Sequence, residues 1–520
     1  NALGAQVQMK WNAVADPHVT GYKINLTDPS GHTNSISVPQ GTGALSGIMT
    51  VTPGTQYSWS VSSSNGTVMS PASQGTSFTC QVLTPPSTGF SWTQSLPITY
   101  EDPSIGIFGG TELRAIVPLN GSLYAVNGYL SESDITDPTL PAPMVYRLDS
   151  PTGPWKVEYE LPQTRADNGK LVYSTLSTLQ KITFTKDNNN VAIPPADVLV
   201  SGTFSQSGAT DVFMRSPSGA WSYDPIPAET YLPSGTQIRS FGQHTDAATG
   251  KQMIFAGGDD VIFSGEYNST KQKIKWNSLA DFLGPNPGKN NNATQARFTS
   301  FAECGGKLYA AGDSIYERQD GSQQSWNVIY SLPLKNKNNP RGFSGLTCAT
   351  GPSGQLALFA SYKELTVDIV RVDLLPSGPL GMIELDVPNF MSTLTNTNVP
   401  SAILAYNDMI LYPSGSSCPS LLMGFKLDEP NAPVTWGTNN KYTGVGFLAR
   451  DCKGNYTVQW VEDPSVFSAP ELTALRTIAP SPFASDPPGT LYVGGMDAGN
   501  PPTSGAHNTA WLYKGVPVAH

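Results

Sequence analysis

Residues 123–129 read LYAVNGY, and similar short apolar runs recur along the rest of the chain. The further copies are VLVSGTF at 198, MIFAGGD at 253, LYAAGDS at 308, LALFASY at 356, MILYPSG at 409 and LYVGGMD at 491. Most copies end in a glycine-containing turn, and their mean spacing is about 61 residues. Self-similarity at a fixed period of this kind is typical of repeat architectures. The seven copies therefore predict seven structural units.

Two features flank these runs. A strand-like segment and then a tryptophan follow most copies: Trp155, Trp221, Trp276, Trp326 and Trp436. An arginine often opens another segment upstream: Arg114, Arg239, Arg297, Arg341 and Arg476. Each unit then has an inner strand, the apolar strand, a third strand and an outer strand begun by tryptophan. Four antiparallel strands repeated around an axis form the blades of a β-propeller, so we predict a seven-bladed propeller.

The last blade is expected to take a strand from the other end of the chain. The seventh repeat stops at WLYKGVP, after its third strand, without an outer strand. The segment FSWTQSLP at 90–97, with Trp92, is similar to the outer strands WKVEYELP at 155–162 and WNVIYSLP at 326–333. We therefore predict that residues 90–97 complete the seventh blade. This closure would remove exposed strand edges that favour aggregation.

The N-terminal residues 5–82 read as a series of short alternating strands. Trp11, Gly21-Tyr22, Pro53-Gly54-Thr55 and Tyr57 form a pattern that resembles a fibronectin type III domain. The resemblance implies a two-sheet sandwich without chemistry of its own. The Gly-Gly pairs at 257–258 and 494–495, with the aromatic third strands and the fourth-strand tryptophans, resemble degenerate kelch repeats. We predict an all-β protein with a sandwich at 1–85 and the propeller at 86–520.

Composition excludes some partners and indicates a location. Charged residues make up 13% of the chain, the net charge is −10, and no basic cluster suggests nucleic-acid binding. No apolar run is long enough to span a membrane. The chain begins at Asn1 rather than Met, as expected after removal of an export signal, and we predict an extracellular protein.

The five cysteines contain no CxxC pair, which argues against a zinc or redox motif. Cys304 and Cys348 occupy similar places in successive repeats, so a disulfide between neighbouring blades is expected. Cys418 with Cys452 would form a second bridge and leave Cys80 over. Five buried free thiols remain an alternative.

Candidate site residues come from the repeats. Inner strands line the central channel of a propeller, so Arg114, Arg239, Arg297, Arg341 and Arg476 are candidates for binding a small anion there. The alternative is that each arginine locks adjacent blades through carbonyl groups or a carboxylate. Asp259 and Asp313 are the candidates for a catalytic acid–base pair. The acidic loops at Asp259, Asp260, Asp313 and Asp497, with Glu303 and Glu364 nearby, could bind calcium, although turn capping is favoured. We predict no metal site and no other cofactor.

Three functions remain open at this point, and whether the protein is an enzyme is undecided. The favoured one is a secreted recognition or adhesion protein that binds a glycan or an extracellular protein through a propeller face. The second is a secreted hydrolase or lyase whose small anionic substrate is held by the channel arginines. In that case an insertion at 437–470, with Arg450, Asp451, Glu462 and Asp463, would cover one face. The third is a structural subunit of an extracellular assembly.

Overall fold

The computed structural model describes residues 5–12, 14–40, 44–51, 56–73, 76–79, 89–96, 101–102, 107–108, 110–129, 141–205, 210–227, 237–284, 296–321, 325–332, 342–363, 367–396, 398–399, 401–412, 419–428, 434–436, 440–462, 472, 474–496 and 510–518. The chain divides into two compact units, residues 1–85 with 391–397, and residues 86–390 with 398–520. Both units are built almost entirely from β-strands. Within the described ranges, no helix has the length and apolar character needed to cross a membrane.

The first unit is a two-sheet sandwich. Its strands are β1 (Ala5–Asn12), β2 (Gly21–Thr27), β3 (Thr33–Pro39), β4 (Ala44–Val51), β5 (Gln56–Ser64) and β6 (Thr76–Thr79). Strand β1 pairs with β4, and the second sheet has the order β3-β2-β5-β6. Alternate side chains of β2 point inward, so Ile24 and Leu26 pack with Met9 and Tyr57 in the core. The predicted Pro53-Gly54-Thr55 element lies outside the described residues.

The second unit is a ring of antiparallel sheets, and its strands are as follows. It begins with β7 (Phe90–Leu96), β8 (Glu101–Asp102) and β9 (Ile107–Phe108). Blade 1 is β10 (Glu112–Leu119), β11 (Ser122–Gly128), β12 (Met144–Leu148) and β13 (Lys156–Glu160). After β14 (Tyr173–Leu176), blade 2 is β15 (Gln180–Lys186), β16 (Ala192–Ser205), β17 (Val212–Arg215) and β18 (Trp221–Tyr223). Blade 3 is β19 (Ser240–Thr245), β20 (Gln252–Gly257), β21 (Val261–Asn268) and β22 (Lys273–Trp276), with β23 (Phe282–Leu283) also on β21.

The remaining blades continue the same pattern. Blade 4 is β24 (Ser300–Cys304), β25 (Lys307–Ala311), β26 (Ile315–Gln319) and β27 (Ser325–Tyr330). Blade 5 is β28 (Gly342–Thr350), β29 (Leu356–Lys363), β30 (Val367–Leu375) and β31 (Gly378–Asp386), followed by α1 (Val387–Thr395). Blade 6 contains β32 (Ser401–Tyr412), β33 (Ser420–Asp428), the short β34 (Val434–Trp436), β35 (Asn440–Arg450) and β36 (Tyr456–Glu462). Blade 7 is β37 (Ala474–Pro480), β38 (Leu491–Met496), β39 (Ala510–Pro517) and β7.

Burial explains why the apolar runs of the sequence are so marked. The second strand of a blade has a strand on either side and a neighbouring blade against each face, so both of its faces are buried. All seven residues of β11 and all six of β38 are buried. The cores lie between blades: Ile182 and Val200 of blade 2, for example, pack with Ile254 and Phe263 of blade 3.

The predicted closure of the ring is confirmed. Strand β7 pairs antiparallel with β39, with Trp92 opposite Gly515. A side chain at Gly515 would overlap the Trp92 indole ring, so the absence of a Cβ lets the ring lie flat on the strand. The indole Nε1 donates a hydrogen bond of 2.9 Å to the carbonyl oxygen of Trp460 on the outer strand of blade 6. The seventh blade is therefore completed by the N-terminal part of this unit.

The assignment of strands in the sixth repeat was wrong by one strand. The run MILY at 409–412 belongs to the inner strand β32, and the second strand of blade 6 is β33. Residues 437–470 are therefore not an insertion over one face, because 440–450 form the third strand and 456–462 the fourth. Trp436 lies in a short hairpin strand, and Trp460 lies in the outer strand instead.

Candidate ligand site at the propeller axis

A cavity of about 480 Å³ lies where the inner strands meet. Residues of all seven inner strands line it, β10, β15, β19, β24, β28, β32 and β37. An inner strand pairs with its own blade on one side only, so the peptide groups on its other edge remain available to a ligand or to water. The volume falls within the roughly 300–1000 Å³ of small-molecule sites.

Hydroxyl groups in the wall are used mainly to join the blades. Ser240 Oγ donates to the carbonyl oxygen of Phe298 (2.8 Å), and Thr299 Oγ1 donates to that of Phe343 (2.9 Å). Thr347 continues the series by donating to Met409, and Ser177 by donating to Ile238. These hydrogen bonds run from one inner strand to the next, so they fix the shape of the wall and leave few hydroxyls for other partners.

Charged groups are sparse in the described part of the wall: Lys181, Arg239 and Glu303. The Lys181 ammonium lies 2.9 Å from Asp197. Arg239 forms a two-pronged contact with Asp259, at 2.7 Å through Nε and 3.3 Å through Nη2. Both cations are therefore neutralised by nearby carboxylates. Glu303 is 49% exposed.

The five arginines predicted to converge on the channel take different positions. Arg114 and Arg476 occupy equivalent β-bulges in blades 1 and 7. Both are buried and both face the fully buried Glu112, Arg114 at 2.8 Å and Arg476 at 3.4 Å. Glu112 thus joins the two blades where the ring closes. This contact is the blade-locking alternative that the sequence left open.

A similar pair of arginines, which share one carboxylate, joins blades 3 and 4. Arg239 precedes the inner strand β19, and Arg297 lies three residues before β24, where it forms a β-bridge with Asp259. The Arg297 guanidinium lies 4.0 Å from the Asp259 carboxylate that Arg239 also contacts. Of the four described arginines, Arg239 lines the cavity. Arg341 lies outside the described residues, and anion binding by this set stays a prediction.

The proposed acid–base pair does not line the cavity. Asp259 is 1% exposed and is held by arginines, and Asp313 accepts a 2.6 Å hydrogen bond from the Tyr316 hydroxyl. Burial and the Asp313 carboxylate raise the pKa of Tyr316. Asp497 and Glu364, which belong to the acidic set considered for calcium, lie outside the described residues. Among the described side chains, no group of three or more His, Cys, Asp or Glu is arranged to hold a metal ion.

Sequence reasoning missed a second series of arginines, which lies near the ends of the third strands. Each of three arginines lies over an aromatic ring of the preceding blade and pairs with a carboxylate of that blade. The sets are Arg215 with Tyr124 and Glu158, Arg318 with Phe255 and Asp281, and Arg450 with Phe359 and Glu384. The segments VFMR at 212–215, IYER at 315–318 and FLAR at 447–450, each of which carries one of these arginines, were the available signal.

A polar network of described side chains joins blades 3 and 4. Arg318 contacts Asp246 (2.9 Å), Asp320 (2.8 Å) and Asp281 (3.3 Å). Burial acts to raise the pKa of Asp246, but hydrogen bonds from Arg318, Gly321 N–H and Thr249 outweigh burial and lower it. The network is therefore held together by charge.

His244 connects this network to the cavity wall. It is 1% exposed, and its Nε2 lies 3.0 and 3.1 Å from the two oxygens of Asp320. Its Nδ1 is buried without a hydrogen bond, 3.6 Å from Glu303 Oε1. Asp320, His244 and Glu303 thus form a series that ends at a residue of the cavity wall. Three separate segments supply it, so no local motif indicated it.

One of the two expected disulfides is present. Cys304 and Cys348 form a disulfide between the inner strands of blades 4 and 5, with Cα atoms 5.4 Å apart. Cys452 is a free thiol in the turn between β35 and β36, which contradicts the expected bridge to Cys418, a residue outside the described ranges. Cys80 lies outside the described residues.

Comparisons with known proteins assign no family. No protein-family model and no curated protein match the chain. Solved structures with some likeness include a proposed 6-phosphogluconolactonase from Bacteroides uniformis (12% identity, TM-score 0.38, 85% of this chain and 97% of the other). A fucose-specific lectin from Aleuria aurantia (9%, 0.35, 69% and 98%) and AofleA from Arthrobotrys oligospora (8%, 0.34, 71% and 95%) are further examples. Because the TM-scores of these structures are below 0.5, the likenesses carry no argument about function. The fibronectin type III and kelch resemblances stay predictions.

Proposed function

We propose that this protein is an extracellular recognition protein that binds a glycan through its propeller without catalysing a reaction. The supporting observation is the distribution of charge around the axis. In the described part of the cavity wall, Glu303 is the one carboxylate, and the two cations are paired. Glycoside hydrolysis generally requires two carboxyl groups on either side of the scissile bond. A wall with a single carboxyl group is therefore suited to binding a glycan rather than to hydrolysing it.

The same charges argue against the alternative of an enzyme with a small anionic substrate. Each of the two wall cations already has a carboxylate partner, Lys181 with Asp197 and Arg239 with Asp259. An anion entering the described part of the cavity would have to compete with these carboxylates and would be repelled by the half-exposed Glu303. Binding of an uncharged ligand carries no such penalty.

The disulfide supports an extracellular location. Disulfides form and persist in oxidising compartments and are rare in the reducing cytosol. Cys304–Cys348 joins two blades that are already neighbours, so it strengthens a formed interface. A low content of charged residues, 13%, is consistent with a surface solvated by neutral polar groups.

The test is to apply the purified full chain to a glycan array and, in parallel, to incubate it with each bound glycan. We expect binding to at least one glycan family and no shortening or elimination product by mass spectrometry. Product formation would contradict a purely recognising role. An array without any binding, obtained with a protein that is folded by circular dichroism, would contradict glycan recognition and direct attention to protein partners.

A further inference from the structure

We propose that the axial cavity is the glycan site and that it takes a neutral monosaccharide unit whose hydroxyls bind the carboxylate of Glu303. This inference rests on the proposed function and assigns it a place and a ligand chemistry. Glu303 lies on the inner strand β24, lines the cavity and is 49% exposed. Its carboxylate is therefore accessible to a ligand inside the ring.

The composition of the wall matches a sugar ring. A carboxylate accepts hydrogen bonds from hydroxyls, and such charge-assisted bonds are about twice as strong as neutral ones. Lys181 and Gln180 on β15 add donors to the wall. Val117 and Ile410, whose half-buried side chains pack against the cores between blades, also line the cavity and add apolar surface to its wall. Donors, an acceptor and apolar surface within 480 Å³ suit a neutral polyol.

Charge favours a neutral ligand over either kind of ion. Asp197 and Asp259 already occupy the cations Lys181 and Arg239, which leaves no cation of the described wall without a carboxylate. A cationic ligand in the cavity would share the wall with the ammonium group of Lys181, which is itself 39% exposed. A sugar, in contrast, can donate to one group and accept from the other.

Two structural features fix the surroundings of Glu303. The next residue, Cys304, is bonded to Cys348, so β24 is covalently joined to β28 beside the carboxylate. On the other side, Asp320 fixes the His244 ring through Nε2 and directs Nδ1 toward Glu303 Oε1 at 3.6 Å. His244 is a positioning residue, since it is buried and does not line the cavity. Preorganisation of this kind lowers the entropy lost on binding.

The direct test measures the affinity of the full chain for a panel of methyl glycosides of fucose, galactose, glucose and mannose by saturation-transfer NMR and calorimetry. We expect at least one to bind, with affinity reduced about tenfold or more in Glu303→Gln. The matched control is Glu160→Gln, an exposed glutamate on the outer strand of blade 1, which should bind as the unmodified protein does. Equal melting temperatures would show that both variants fold.

The positioning role of His244 has a spectroscopic readout. The chain has five histidines, so ¹⁵N-histidine NMR can follow the ring nitrogens individually. Addition of the bound glycoside should shift the Nδ1 resonance of His244, because the carboxylate facing that nitrogen becomes engaged. The shift should be absent in Glu303→Gln. A His244 that only fills space would give no such ligand-dependent change.

The outcomes separate this inference from the broader proposal. If a glycoside binds but Glu303→Gln binds it equally well, the cavity carboxylate is not the site, and glycan recognition still stands. If no methyl glycoside binds while the glycan array is positive, the site is a larger epitope elsewhere, and this inference is overturned. If the array is negative as well, the proposed function itself fails.

Discussion

Asp224 is a buried carboxyl group in surroundings that disfavour its charge. It follows the outer strand of blade 2 and accepts a 2.8 Å hydrogen bond from the backbone N–H of Ile274 in blade 3. Burial raises its pKa from 3.8 to about 6, although that hydrogen bond and Lys273 act in the opposite direction. Between these two pH values the native protein retains a proton that the unfolded chain has released. Stability therefore falls as the pH rises through about 6.

We predict that Asp224→Asn stabilises the protein at pH 8. The amide oxygen still accepts the hydrogen bond, and the buried charge is removed, so the gain in unfolding free energy can reach about 3 kcal/mol. At pH 4.5 the native carboxyl is already protonated, and the gain should fall by at least half. Thermal or urea unfolding at the two pH values measures this. Asp246→Asn is the control of opposite sign, because its lowered pKa makes its charge stabilising at pH 8. Destabilisation by Asp224→Asn at both pH values would contradict the prediction.

Arg318 is a single side chain that links blades 3 and 4. It is 5% exposed and neutralises the buried Asp246 and Asp281. We predict that Arg318→Met lowers the unfolding free energy by about 3–5 kcal/mol, since it leaves buried carboxylates without a cation. Arg147→Met is the matched control. Its ion pair with Asp149 is 35% exposed on the arginine side, so it should cost less than about 1 kcal/mol. Similar losses for both variants, measured by urea unfolding, would refute a special role for Arg318.

At the level of strands, the sequence predicts most of the fold because the second strand of each blade is buried on both faces. Six of the seven apolar runs mark second strands, from β11 to β38. The exception is blade 6, where Met409 to Tyr412 form the end of an inner strand that is equally apolar. In chain order the hairpin strand β34 lies between the second strand β33 and the third strand β35, although in the sheet β33 pairs directly with β35. Periodicity alone cannot distinguish an apolar inner strand from an apolar second strand.

Removal of the disulfide measures how much the covalent link between two inner strands contributes to stability. Cys304 and Cys348 are 44 residues apart, and closing a loop of that length stabilises by roughly 4 kcal/mol in the chain-entropy treatment. We predict that Cys304→Ser/Cys348→Ser lowers the unfolding free energy by several kcal/mol and that dithiothreitol does the same to the unmodified protein. Cys452→Ser, the control, should change neither stability nor the response to reductant. A double variant that melts at the original temperature would contradict the prediction.

For the whole molecule, closure of the ring could be predicted but the site could not. Closure followed from a local similarity, the outer-strand pattern around Trp92, and β7 does pair with β39. The candidate site depends instead on Asp320, His244 and Glu303, which come from different strands and meet only after the blades assemble. The repeated arginines were visible in the sequence. The carboxylates that hold the described ones, Glu112 and Asp259, were identified by the structure.

Closure of the ring couples the stability of blade 7 to one strand from the other end of the unit. Leu96 at the end of β7 is fully buried and packs with Leu113 and Trp155 of blade 1 and Leu512 of β39. Leu96→Ala should lower the unfolding free energy by about 2–5 kcal/mol, whereas Thr93→Ala, exposed on the same strand, should change it by less than about 0.5 kcal/mol.

Hydrogen exchange distinguishes closure from general core loosening. If β7 holds the ring closed, the amides of β39 should exchange faster in Leu96→Ala, because weakening β7 exposes the edge of β39. Amides of β25 in blade 4, on a distant part of the ring, should keep their protection. A lower melting temperature with equal acceleration in both strands would mean that Leu96 supports the core as a whole. Selective acceleration in β39 would identify β7 as the strand that closes the propeller.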